Sequence, residues 1–104
     1  MFKAMILLKR KESASAEEFA DWWLNKHKPL AQQLPGLRRG VFNLVSQEHS
    51  ADAQYDGVSE LWFDTRADFD AAYASETGKA VAEDSIANVG ARERLLVTEN
   101  VIKD

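Results

Sequence analysis

Two histidines are the only side chains in this chain whose ordinary titration falls between pH 5 and 8. His49 sits in a polar stretch, Gln47-Glu48-His49-Ser50, and reads as an exposed loop residue. His27 lies one helical turn beyond Trp23 and two residues before Pro29. A neutral imidazole there can take or give a proton near neutral pH. The flanking Lys26 and Lys28 oppose its charged form, whereas free carbonyls at a helix end favour it. On residue type alone, His27 is either a proton-transfer residue or a histidine that caps and packs a helix end.

Other side chains also admit two readings. Glu60 is the one acid in the apolar segment Val58-Ser59-Glu60-Leu61-Trp62-Phe63. On a buried face it needs a partner such as Arg39, Arg92 or Arg94. It is then a structural carboxylate at a sheet or dimer face, or an acid with a shifted pKa in a pocket. Tyr73 offers a hydroxyl to a ligand, or packs one turn after Phe69 as core. Trp22 and Trp23 point about 100° apart on a helix, so one fills the core while the other edges a pocket or interface.

Several chemistries lack their residues. Cysteine is absent, which excludes disulfides, thiolate metal sites and a thiol nucleophile. No glycine-rich phosphate loop, HExxH pair or nucleophile elbow occurs. Two histidines 22 positions apart do not make a metal site, so none is expected.

These residues must be positioned by one domain, residues 1–104. Apolar residues make up 45% and charged residues 29%, a globular balance. The net charge of −4 argues against nucleic-acid or anionic-membrane partners. The apolar run after Lys3 is too short for a secretory signal, and no run approaches a membrane span, so a cytoplasmic protein is expected.

Residues 2–9 read as a strand. Ser15-Ala16-Glu17-Glu18 is a capping box opening a helix that ends near Leu34-Pro35-Gly36. Pro29 predicts a kink or break near 27–29, with Lys28 driven out of the α region and a carbonyl left free. Residues 37–47 and 58–63 read as strands around a polar loop. Thr65-Arg66-Ala67-Asp68 caps a second helix, broken between Ser75 and Gly78. A further helical stretch carries Val81, Ala82, Ile86 and Val89 on one side, and residues 92–102 read as the last strand.

The order is β-α-β-β-α-β, an α+β ferredoxin-like plan: a four-stranded antiparallel sheet with helices on one face. Val41 with Phe42, Leu61 with Trp62, and Leu95 with Leu96 put apolar groups on both faces. A second copy packed sheet to sheet would cover the open one, so a homodimer is expected.

Trp23-Leu24-Asn25-Lys26-His27-Lys28-Pro29-Leu30 resembles the W-x-x-x-H-x-P-L signature of the EthD family. Phe19 in the first helix, Leu34-Pro35-Gly36-Leu37, and Glu60-Leu61-Trp62-Phe63 before Asp64-Thr65 extend the similarity over nearly the whole chain. The resemblance implies two ferredoxin-like units joined as a dimeric α+β barrel. It also implies cofactor-free chemistry on small organic compounds, such as lactone isomerisation or the oxidation or dehydration of aromatic polyketides. Lactone-isomerising relatives carry a cysteine where this chain has Leu61, which puts that thiol-assisted branch in doubt.

A purely structural dimer, its helix–sheet space filled by aromatics, is one reading, and two functions are open beside it. In one, His27 shuttles a proton on a small hydrophobic metabolite or xenobiotic breakdown product, in a pocket walled by Trp23, Phe42, Leu61, Phe63 and Tyr73. The reaction would be an isomerisation, a dehydration or an O2-dependent oxidation. In the other, the chain is a non-catalytic hydrophobic-ligand-binding or accessory protein of a degradation pathway.

Overall fold

The computed structural model describes residues 1–104. In chain order the elements are β1 (Phe2–Arg10), α1 (Ala16–Trp22), a π-helical turn (Trp23–His27), α2 (Lys28–Ala31), β2 (Arg39–Leu44), β3 (Gly57–Phe63), α3 (Arg66–Ala74), α4 (Glu76–Asn88) and β4 (Val89–Val97). The strands form one antiparallel sheet in the order β2-β3-β1-β4. This is the ferredoxin-like βαββαβ fold.

The helices start where the side chains supply caps. The Ser15 hydroxyl accepts from the Glu18 N–H at 3.1 Å, and the Glu18 carboxylate accepts from the Ser15 N–H at 2.9 Å. Thr65 caps α3 through the Asp68 N–H at 3.1 Å. Ser75 ends α3 and caps α4, its hydroxyl accepting from the Gly78 N–H at 3.0 Å.

Register divides the sheet into two faces. Ala4, Ile6 and Leu8 of β1 are buried under the helices, level with Leu61, Ser59 and Gly57 of β3. Phe42 of β2 and Arg92 of β4 share this face, through pairing with Ser59 and Leu8. Met5, Leu7, Val41, Glu60, Trp62 and Leu95 occupy the opposite face, which no helix of the chain covers.

Four expectations are corrected. The first concerns Pro29. Lys28 keeps α geometry, with φ −55° and ψ −48°, and its N–H bonds to the Trp23 carbonyl five residues back. Instead of breaking, the helix widens into a π turn, which accommodates the ring that would otherwise crowd the Asn25 carbonyl. The second is the last strand, which begins at Val89 and ends at Val97. Val101 and Ile102 beyond it are 69% and 100% exposed, and no neighbouring strand pairs with them. The third is the buried side of α4, which uses Val81 and Ser85, while Ile86 is 66% exposed. The fourth is the partner of Glu60. Lys3 fills that role at 2.9 Å, helped by the Asn43 amide at 2.9 Å. Arg92 and Arg94 lie on the helix-covered face and cannot reach Glu60; Arg39, over the Trp62 ring at 4.9 Å on the open face, adds its charge to that of Lys3 on the carboxylate without bonding to it.

Candidate functional site

The π turn sets the site. Widening the helix brings residues five apart alongside one another, so the Trp22 and His27 rings lie 4.9 Å apart. Trp23 turns under the sheet and stacks on Phe42 of β2, with centroids 4.4 Å apart and planes within 7°. Phe42 also lies parallel to the His27 ring at 6.0 Å. Both tryptophans are buried, and Trp23 has no exposure at all.

His27 is buried and meets a carboxylate from another element. Its Nδ1 lies 2.8 Å from Oδ2 of Asp84 on α4. The same oxygen accepts from the Trp22 indole N–H at 3.2 Å. The Asn88 amide donates to the other carboxylate oxygen at 3.2 Å and to the Asp84 carbonyl at 2.8 Å. Asp84 is therefore aimed by three side chains. An acid on Nδ1 assigns the proton of neutral His27 to that nitrogen and leaves the Nε2 lone pair free. Nε2 has no hydrogen-bond partner within the chain.

Burial holds the His27 pKa below its ordinary value of 6.5; Asp84 pulls it upward, and the Arg92 charge adds to the lowering. The ring is thus a neutral imidazole at pH 7. Burial raises the pKa of the Tyr73 phenol, against the pull of Arg92 and Arg94.

His27 faces a cavity of about 20 Å³, shared with Trp23, Phe42, Leu61, Tyr73 and Arg92. That is room for about one water-sized group. Ala31, Phe42 and Leu61 also line a wider groove of about 180 Å³ between α2 and β2, rimmed by Lys28, Gln32 and Arg39. The inner cavity and the outer groove thus share a wall.

Four of the five wall residues expected from sequence meet His27 at one cavity. Phe63 does not: it is fully buried against Phe69, edge to face at 5.5 Å, as core. Glu60 lies on the opposite face of the sheet, where Lys3 and Asn43 hold its carboxylate below the usual pKa range. Two site residues were not assigned from the sequence. Asp84 carries no local signal beyond an acid beside the buried Val81 and Ser85 of one helix. The sequence offers Arg92 only as a candidate partner for Glu60; the register of β1 with β4 sets it opposite Leu8, on the helix-covered face.

The family model for the EthD domain matches residues 11–89. Among curated proteins, none is similar enough in sequence to count as a relative. Solved structures share the fold. An ethyl tert-butyl ether D (EthD) family protein from Bacillus halodurans C-125 superposes with a TM-score of 0.82, at 21% identity over 96% of this chain and 100% of its own. A dimeric ferredoxin-like protein from Thermobifida fusca YX gives 0.76, at 13% identity over 94% and 90%. A variant of SnoaB, a cofactor-independent oxygenase from Streptomyces nogalater, gives 0.70, at 15% identity over 99% and 97%. No helix of the chain is long and apolar enough to cross a membrane.

Proposed function

The chain belongs to the EthD domain family, and from that premise we propose that it is a cofactor-independent enzyme moving a proton on a small hydrophobic organic compound. His27 is the general base and then the general acid. One observation carries this reading: a buried imidazole that lines a cavity, its Nδ1 held by Asp84 and its Nε2 bonded to no group of the chain.

The chemistry follows from that geometry. Nε2 takes a proton from a weakly acidic position of the substrate. The imidazolium formed is stabilised at Nδ1 by the Asp84 carboxylate, 2.8 Å away. Trp23, Phe42, Leu61 and Tyr73 exclude water around the reacting atoms. Returning the proton at a second position gives an isomerisation, and loss of a hydroxyl gives a dehydration. Meeting O2 with the substrate anion gives an oxidation. The fold shared with SnoaB is compatible with this range. The protein works as a homodimer in the cytoplasm, with the open sheet face of each copy covered by the other.

The test is solvent exchange. The protein is incubated in D2O with a panel of small cyclic ketones and lactones, and loss of C–H signals is followed by proton NMR. The wild type is expected to exceed buffer by at least about 10²-fold for one member, and His27→Ala to fall to the buffer rate. Exchange by His27→Ala at the wild-type rate, or no exchange by the wild type, would overturn the assignment.

A further inference from the structure

Two buried side-chain polar atoms in this chain have no hydrogen-bond partner: the indole nitrogen of Trp23 and Nε of Arg92. Both residues line the cavity that His27 faces. Buried polar groups are nearly always paired, so two orphan donors at one cavity require a reason. The benzo edge of Trp23 abuts Gly57, so the pyrrole end carrying the N–H lies on the other side of the ring. Arg92 takes part in no ion pair, although it is half-buried and its charge is felt by both His27 and Tyr73. A guanidinium left without an anion in a largely apolar surrounding is costly unless a ligand supplies one.

Building on the assignment of His27 as base, we infer that the substrate is an enolisable carbonyl compound whose oxygen is bound by Arg92 and the Trp23 N–H. The step balances without an oxidant or cofactor. The C–H bond next to the carbonyl breaks and its proton goes to Nε2 of His27. The C–H electron pair becomes the C=C bond of the enolate, and the carbonyl π pair moves onto oxygen. Arg92 faces the charge there, while Asp84 on α4 faces the imidazolium and Tyr73 on α3 lines the same cavity. Reprotonation at a second carbon returns His27 to its neutral form.

Geometry favours this class over a permanently charged acid. The inner cavity of about 20 Å³ has room for about one group, so a single oxygen fits where a carboxylate crowds. The body of the molecule extends past Ala31, Phe42 and Leu61 into the outer groove of about 180 Å³. A weakly basic, neutral His27 removes a carbon-bound proton only if the resulting charge is stabilised where it develops, which is the role of a preorganised cation.

The probe is 4-nitrophenol, whose phenolate mimics the enolate oxygen and is read by its visible absorbance. The wild type is expected to bind the phenolate in preference to the phenol, moving the titration of the bound probe to lower pH. Arg92→Gln should weaken phenolate binding roughly ten- to a hundredfold, and Arg92→Lys, which keeps charge but not the fork, by several-fold. Circular dichroism checks that each variant is folded, and if Arg92→Gln is not, Arg92→Lys carries the test. His27→Ala should retain phenolate binding while losing deuterium exchange, which separates the two assignments. Failure of exchange to depend on His27 removes the base and leaves the oxyanion site standing. Unchanged phenolate binding by the Arg92 variants, preference for the neutral phenol, absence of binding, or tighter binding of benzoate than of phenolate each overturn the inference.

Discussion

His27 gains its properties from contacts far along the chain. Its neutrality comes from burial, and its orientation from Asp84, 57 positions away. Replacing Asp84 by Asn removes the contact that raises the His27 pKa. A nitrogen-15 NMR titration should therefore place wild-type His27 below 6.5 and the Asp84→Asn variant lower still, with exchange activity reduced roughly 10–100-fold. Stability follows the same sign. The unfolded chain takes up this proton before the folded chain does, so the contribution is fully present above pH 6.5 and is lost as pH falls through 6.5 toward the folded value. Urea midpoints of wild type and His27→Gln, compared at about pH 7.5 and about pH 5.5, should lie closer together at the lower pH. His27 itself was legible, because the signature from Trp23 to Leu30 marks it. Asp84 was not, since nothing local to α4 says which helix its carboxylate will meet.

At the scale of elements, two glycines keep neighbouring backbone and rings in close contact. A Cβ on Gly57 would stand 2.7 Å from the Cη2 and Cζ3 atoms of Trp23. Gly57→Ala should push that ring against Phe42, cost about 1–3 kcal/mol in urea unfolding, and lower exchange activity with it. A Cβ on Gly78 would meet the Ala72 carbonyl oxygen at 2.0 Å, and backbone yields less readily than a side chain. Gly78→Ala should therefore be the more destabilising of the two, by the same measurement. The starts of helices were easy to read from Ser15 and Thr65, since a hydroxyl three residues before an N–H acts within one turn. Ends were harder. Residues 98–102 alternate like a strand, yet no neighbouring strand pairs with them, and pairing is not a local property. Pro29 exposed the same limit: its ring constrains the helix, but whether the chain breaks or widens depends on what anchors both sides.

The whole molecule has one covered and one open sheet face, and its fold was legible because both periodicities and element order agree on it. Met5, Leu7, Val41, Trp62 and Leu95 lie on the open side, with Leu95 41% exposed. Sedimentation should report a species of about twice 11.7 kDa, and Leu95→Glu should shift it toward the monomer. The tryptophans divide between the same two faces. Trp22 touches His27, while Trp62 lies on the open side between Lys3 and Arg39, 4.5 and 4.9 Å from its ring. An imidazolium quenches indole emission far more than a neutral imidazole does, and burial by a second copy shifts the emission wavelength of an exposed indole. Of the three tryptophans, two thus have separate duties: the brightness of Trp22 should follow the proton on His27, and the colour of Trp62 should follow pairing with a second copy.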